Sequence, residues 1–380
     1  MIAGPIAVPA VGVAPTDAAL AAALAVIIDP AVLAVTPQDP GFHAEGDVWL
    51  HTRMAVAALV ADPAWAALDD AGRAITYAAV LFHDVGKATT TRHEPDGRIS
   101  SRGHSSRGEL DLRAALWRAG WPFGWREHVC ALVRWHQVPF FGVDRADATA
   151  LALRLSLALR HDWLTVVATA DAAGRRCADP GDQQRILDQC ALWRTWCDEL
   201  GVLTGPAEFP DDHSRAVYLA DSSGTRSPGV AAFDDTVAEA VIVSGLPTSG
   251  KSTFLATHPA LPQVSLDELR AELDVDPDEP QGAVIAAARE RARGYLRAGQ
   301  PFAWNATNLS RDLRSGLVAL CRDYRFRTRV VYCEVGADEQ ARRNRARPDA
   351  TRIPAAAFAR MLIRWPATSG CARPRAGSSS

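Results

Sequence analysis

Between Asp47 and about Leu200 the apolar residues recur every three or four positions, with no sustained alternation of the kind a half-buried strand shows. That spacing predicts a helical domain, with helices over VWLHTRMAVAALV, ITYAAVLFHD, HVCALVRWHQ, LTVVATADAAGRR and QRILDQCALWRTWCDELGV. Past Ala238 the pattern changes. Short runs rich in β-branched or aromatic residues (AVIVSG, PQVS, PFAWN, RTRVVYCEV) alternate with helical ones (TFLATH, GAVIAAARERARGYLRAG, RDLRSGLVALCRDY). Buried strands joined by crossover helices mean a parallel sheet covered on both faces. The expected architecture is multidomain, an all-α bundle followed by an α/β domain.

The rest of the chain is divided by composition. Pro5, Pro9 and Pro15 suggest an irregular arm over 1–46, with a helix from Asp17 to Ile28 packed on the bundle at 47–204. Pro, Gly and Ser mark 205–237 as a linker before the α/β domain at 238–365, and the Pro/Gly/Ser-rich tail 366–380 is expected to be disordered. A net charge of −3 with 48% hydrophobic residues is an ordinary globular balance, so any contact with nucleic acid is local. Seven scattered cysteines, odd in number and without a C-x-x-C pair, point to a reducing, cytoplasmic compartment and away from a zinc ribbon. The apolar start lacks a basic leader and is interrupted by Asp17 and Asp29, so neither a signal peptide nor a membrane span is expected.

Among 41 Lys and Arg residues only Lys87 and Lys251 are lysines, and each closes a motif. Residues Gly245, Leu246, Pro247, Thr248, Ser249, Gly250, Lys251 and Ser252, followed by Thr253, spell G-x-x-x-x-G-K-S-T between a strand and a helix. In such a loop backbone N–H groups close around phosphates, the lysine reaches the β- and γ-phosphates and the serine hydroxyl holds Mg²⁺. A nucleoside triphosphate, ATP or another, is therefore the expected donor. Ligands should gather at the strand ends, which carry Asp267 and Asn305. Ser265 and Glu268 have the form of a capping box, which places Asp267 in a first helical turn as a proton acceptor, with Arg270 on the same face. Asn305, Thr307 and Asn308 offer amides and a hydroxyl to a substrate. The basic segment DEQARRNRARP places Arg343 and Arg347 four apart, able to offset charge on a transferred phosphoryl group.

In the helical half, His51, His83 with Asp84, His104, His136 and Asp171 come from five segments, mostly near helix ends. Imidazoles and carboxylates so distributed are how a bundle builds a divalent metal site in its core. His128 falls on the same helix as His136, while His43, His93, His161 and His213 suggest no role. The series H…HD…H…H…D, with HDVGK, GHSSRGE, VRWHQ and ADAAGR in order, is similar to the signature of the HD phosphohydrolase superfamily. The resemblance implies one metal held by His51, His83, Asp84 and Asp171, and a second by His104 and His136 with Asp84 bridging. A pair of such ions suits phosphoester hydrolysis, with Lys87 neutralising the scissile phosphate.

The phosphate loop, Asp267 with Arg270, the N-A-T-N turn and the arginine-bearing segment together resemble the polynucleotide 5′-hydroxyl kinase family. That likeness implies Asp267 as general base to a 5′-hydroxyl, Arg270 on the acceptor phosphate, and Arg343 and Arg347 on the transferred group. Asn305 stands where some relatives have aspartate. An HD domain followed by such a kinase resembles the bacterial end-healing enzymes called HD-Pnk. The resemblance implies Mn, Ni, Co or Fe in the helical site, Mg²⁺ at Ser252, RNA or DNA ends as substrates, a separate ligase to seal them, and no membrane partner. Two other readings stay open at this level: a hydrolase of deoxynucleotides or nucleotide alarmones with an ATP-binding regulatory domain, and a small-molecule kinase fused to a phosphatase.

Overall fold

The computed structural model describes residues 5–221 and 226–365; the tail expected to be disordered lies outside the described residues. Two compact units form, one from residues up to Phe209 with Tyr218–Gly229, the other from Pro210–Val217 with the residues from Val230 on.

The first unit is helical. In chain order it contains α1 (Asp17–Leu24), α2 (Pro30–Ala34), α3 (Val48–Ala61), α4 (Pro63–Ala66), α5 (Asp70–Phe82), α6 (Lys87–Thr90), α7 (His104–Arg118), α8 (Phe123–Trp135), α9 (Ala148–Ser156), α10 (His161–Ala173) and α11 (Pro180–Glu199). Side-chain caps fix several starts: the Leu50 N–H donates to Asp47 Oδ1 (2.8 Å) and the Gly72 N–H to Asp69 Oδ1 (2.7 Å). Each such cap stabilises its helix by about 1 kcal/mol. Helices α3, α5, α8 and α10 pack on one another, α7 lies on α8 and α11 on α10. Their apolar stripes meet in a core that includes Val56, Leu59, Phe82, Leu132 and Val167. Buried Arg113 of α7 ties two of these helices together, donating to Glu109 (2.9 Å) and to Glu127 of α8 (3.1 Å).

Several features differ from the pattern reading. Helix α1 packs on the bundle through Leu20 and Leu24 as expected but stops at Leu24 rather than Ile28, and Leu33 of the expected arm joins the core. The half read as free of strands holds an antiparallel hairpin, β1 (Arg92–His93) with β2 (Ile99–Ser100). Two residues per strand leave no alternation to detect. The stretch expected as a linker carries α12 (Asp212–Ala220), and its Ala207 joins Val202, Trp193 and Cys197 in a second buried cluster of this unit.

The second unit runs β3 (Ala238–Ser244), α13 (Lys251–Ala256), β4 (Gln263–Ser265), α14 (Leu266–Leu273), α15 (Gly282–Arg297), β5 (Phe302–Asn305), α16 (Arg311–Asp323), β6 (Phe326–Tyr332), α17 (Ala337–Arg345) and α18 (Ala355–Leu362), the last over a segment where the pattern suggested no element. The strands form a parallel sheet in the order β4-β5-β3-β6. Successive side chains of a strand face opposite sides. Ala240 and Ile242 of β3 accordingly pack with Leu269, Val284, Ala288 and Leu317 from α14, α15 and α16, while Val241 and Val243 pack with Leu255 of α13. Both faces are covered, which is why β3 reads as a continuous apolar run.

The six described cysteines are free, and among the described residues no helix is long and apolar enough to cross a membrane.

Candidate functional site

The six expected ligands of the helical unit meet. His51 lies in the first turn of α3, His83 follows α5 with Asp84 next to it, His104 opens α7, His136 follows α8, and Asp171 lies in α10. All are buried. His51 Nε2 is 3.1 Å from Asp171 Oδ1 and 3.2 Å from His83 Nε2, and His83 Nε2 is 3.2 Å from Asp84 Oδ2. His104 Nε2 stands 3.4 Å from Asp84 Oδ1, and His136 Nε2 3.8 Å from Asp171 Oδ2. The Nδ1 atoms of His83, His104 and His136 sit 2.7, 2.9 and 2.8 Å from the carbonyls of Val80, Ser101 and Val133. An Nδ1–H donated to a carbonyl leaves the Nε2 lone pair facing the centre.

Whether these residues fit a metal is answered by what they leave unsatisfied. Both oxygens of Asp84 and Nε2 of His136 are buried without a hydrogen-bond partner. Buried polar atoms left without hydrogen bonds are costly, and a cation among the donors satisfies several of them at once. The donors fall into two groups, His51 with His83 and Asp171, and Asp84 with His104 and His136, each within 4.8 Å and able to hold an ion. Mixed imidazole and carboxylate donors suit a divalent transition metal.

Electrostatics follow from burial and neighbours. Burial pushes the Asp84 and Asp171 carboxyls up, but His83 and Lys87 beside the first, and Arg175 beside the second, hold both well below the usual range. Burial and repulsion from His83 hold His136 down at about 3, and burial lowers His104. Burial would lower His83 too, yet the adjacent Asp84 raises it. Lys87 Nζ stands 2.8 Å from Asp84 Oδ2, off the line a hydrogen bond needs, and donates to Gln38 Oε1 at 2.6 Å. A cavity of about 630 Å³ has Lys87, His104 and Arg175 in its wall.

Four functional neighbours were not read from the sequence: Gln38, His43, Glu45 and Arg175. Glu45 Oε1 accepts from His43 Nδ1 (2.8 Å) and lies 3.0 Å from His51 Nδ1, while Oε2 accepts from the Arg176 N–H (2.8 Å). Burial works to raise its pKa, but these contacts hold the carboxyl far below the usual range. Arg175 donates to Asp171 Oδ1; its position four residues after Asp171 was the available signal. Gln38, His43 and Glu45 sit in the irregular segment between α2 and α3, where no periodicity points inward. His128 instead packs edge-on to Trp163, and His161 bonds the Ala152 carbonyl (2.9 Å).

In the second unit β3 delivers the chain into Gly245 (φ +150°), and the loop closes at Gly250 (φ +100°) before α13. A Cβ at Gly245 would fall 2.3 Å from the Cys333 carbonyl, so only glycine fits. Lys251 Nζ donates to the carbonyls of Gly245 (3.0 Å) and Leu246 (2.9 Å). Burial brings its pKa down to about 8, against the attraction of Cys333 and Asp267, and Arg347 repels it. Ser249 Oγ is buried without a partner, a polar atom a phosphate oxygen would satisfy. Ser252 and Thr253 are exposed in the first turn of α13.

The remaining predicted residues divide. Ser265 caps α14, accepting from the Glu268 N–H (3.3 Å), and this sets Asp267 in the first turn, exposed and bonded to Arg270. Arg343 Nη1 donates to the Thr248 carbonyl of the loop (3.2 Å). Helix α17 ends at Arg345, so Arg347 does not share a helical face with Arg343 as its spacing suggested, although its charge acts on Lys251. Asn305 Nδ2 donates to Gln263 Oε1 (3.4 Å) at the end of β5. Asn308, expected to face a substrate, is buried at φ +46° with its amide on the Val243 carbonyl (2.8 Å). The Thr307 carbonyl accepts from the Gly245 N–H (3.0 Å). Through these groups the N-A-T-N turn braces the loop.

A buried donor cluster in a helical bundle and a phosphate loop on a parallel sheet define a chain with two phosphate-handling domains. Residues 53–164 match the family model of the HD domain, and residues 241–366 that of an AAA domain. The chain is a fusion of an HD phosphohydrolase domain with a P-loop kinase-like domain. It is also 38% identical over 98 residues to the CC-adding tRNA nucleotidyltransferase of Thermus thermophilus, over 26% of this chain and 21% of that protein. The chain thus spans about a fifth of the length of that curated relative. His51 and Asp171 fall outside the matched HD span, and the geometry alone brings them to the cluster.

Proposed function

We propose that the chain heals the ends of broken polynucleotides, RNA or DNA. In this reading the HD domain removes a 2′,3′-cyclic phosphate or the 2′- or 3′-monoester left from it, and the P-loop domain phosphorylates the 5′-hydroxyl with ATP or another nucleoside triphosphate. The supporting observation is the presence in one chain of two different phosphate sites, a buried six-donor cluster beside a cationic cavity and a loop lysine that feels an exposed carboxylate. Cleavage that leaves a cyclic phosphate also leaves a 5′-hydroxyl, and a ligase can seal neither. The tRNA in the relative's name points to RNA as the first polymer to test.

In the HD domain His51, His83, Asp84 and Asp171 would hold one divalent ion, Mn, Ni, Co or Fe, and His104, His136 and Asp84 a second. Such ions supply Lewis acidity and lower the pKa of water. Lys87 and Arg175, each against a cluster carboxylate, bring cations to the phosphate of the end. In the kinase domain Lys251 exchanges its loop carbonyls for donor phosphates, and Ser252 would hold the Mg²⁺ that offsets their charge. Asp267 accepts the proton of the 5′-hydroxyl, Arg270 contacts the acceptor phosphate, and Arg343 and Arg347 offset charge developing on the phosphoryl group. The Asn305 side-chain carbonyl oxygen and the Thr307 hydroxyl would contact the acceptor sugar.

Labelled ATP offered with a 5′-hydroxyl oligonucleotide, beside free nucleosides and sugars, tests this. Label should enter the oligonucleotide, and Lys251→Ala or Asp267→Ala should abolish transfer while release of phosphate from a cyclic end continues. Asp84→Ala should give the reverse. Label on a nucleoside or sugar instead, or release from deoxynucleotides but not from polymer ends, would refute the reading.

A further inference from the structure

We propose that the cavity beside the metal cluster holds the last several nucleotides of a single strand, stacking bases on Phe42 and Phe141, and not the terminal phosphate alone. This rests on the reading of that site as one that acts on polynucleotide ends.

Phe42 and Phe141 both line the cavity, and they are 51% and 46% exposed. Neither ring packs on another aromatic ring among the described residues. A large apolar ring left half in water beside a charged cavity is a surface that a base face covers, whatever the base. The cations of the wall divide in the same sense. Lys87 and Arg175 touch the cluster's carboxylates, whereas Arg102 has no carboxylate partner among the described residues. Arg134 is stacked on the Trp135 ring at 4.7 Å, with Nε 3.4 Å from Glu109. Arg102 is therefore the cation of the wall available to phosphates further along the strand. The one carboxylate among the lining residues, Asp39, is occupied by the N–H groups of Gly41 (3.0 Å) and Ile99 (3.1 Å). A volume of about 630 Å³ exceeds what one phosphate needs. Two unpaired rings beside the free cation of Arg102 match a backbone that carries its bases splayed, the common form of single-strand recognition.

The test uses the full chain loaded with Mn²⁺ and ribonucleotides blocked at the 5′-end with fluorescein, as a mono-, di-, tetra- and octanucleotide series ending in a 2′,3′-cyclic phosphate. Anisotropy gives Kd and product release gives kcat/KM. Both should improve with length up to the tetranucleotide and then level. Phe42→Ala and Phe141→Ala should each reduce the ratio of tetra- to mononucleotide kcat/KM by about 5- to 150-fold, the range one stacked base is worth, with recovery in the tryptophan variants. Arg102→Gln should lower the salt slope of octanucleotide binding by about one. A flat length series, or an unchanged ratio in both alanine variants, overturns the inference. Length-dependent binding that needs Phe42 and Phe141, without hydrolysis of the end, would sustain it and overturn the end-healing reading instead. Hydrolysis indifferent to length would do the opposite.

Discussion

Gly86 in the HDVGK motif gives the sharpest test of how the cluster is held. A Cβ built there lies 2.1 Å from the His104 carbonyl oxygen and 2.7 Å from the Gly108 N–H nitrogen, both of them backbone atoms of α7. Backbone cannot swing aside as a side-chain tip can. Gly86→Ala must therefore push α7 away from the turn after α5 by about 1 Å, and a misplacement of that size costs on the order of 10²-fold in rate. The displaced helix is the one that carries His104, whose Nε2 stands 3.4 Å from Asp84 Oδ1, so the second donor group opens first. Overpacking of this kind also destabilises by about 1–3 kcal/mol.

Phosphoesterase rate, bound metal and kinase rate should be measured on one preparation. Gly86→Ala is expected to lose about 10²-fold in phosphoester hydrolysis and part of its metal, with label transfer by the P-loop domain unchanged. Gly108→Ala is the control. Its Cβ would come no nearer than 3.4 Å to any atom, the Gly86 nitrogen, so it should cost little. Full hydrolysis in Gly86→Ala, or an equal loss in Gly108→Ala, would refute the idea that close approach of α7 assembles the site.

Other outcomes follow from the same geometry. Glu45→Gln removes the charge beside His51 Nδ1, and metal affinity should fall about 10- to 100-fold by calorimetric titration; an unchanged affinity would show that Glu45 does not orient that ring. Lys251, brought down to about 8, is already protonated at pH 6.5 but partly neutral at about pH 8.5, and an anion raises its pKa. ATP binding at the higher pH should therefore take up protons, read as a dependence of binding enthalpy on buffer ionisation, and the effect should vanish at pH 6.5 and in Lys251→Ala. Uptake that persists in Lys251→Ala would assign the proton elsewhere. Asn308→Ala deprives the Val243 carbonyl of a donor, about 1–3 kcal/mol, and adds about 1 kcal/mol for a left-handed φ, whereas Asn308→Gly removes only the hydrogen bond. The melting transition of the second unit should fall further for alanine than for glycine, and equal shifts would dismiss the φ contribution.

What could be read in the sequence, and what could not, has one physical cause. Every expected metal ligand except His104 lies in or next to a helix that apolar spacing predicts, so periodicity fixed the element while residue type fixed the chemistry; His104, expected in a polar loop, instead opens α7. The phosphate loop was legible because its glycines answer a backbone demand that no other residue meets, as the contact of Gly245 with the Cys333 carbonyl makes plain. Glu45 and Gln38 were not legible because an irregular segment has no period, and an acid just before a helix start is ordinary.

Asn308 was misread for a deeper reason. An amide that binds a substrate and one that satisfies a carbonyl are the same residue type at the same kind of strand end. What separates them is whether the surrounding backbone has already left a group unpaired, and at this turn Val243 had done so. The cluster shows the converse, since there the structure leaves both oxygens of Asp84 ion-paired but without a hydrogen bond and so marks where a ligand belongs. Composition and spacing locate candidate donors; only the hydrogen-bond account of the folded chain sorts those that brace a site from those that face its ligand.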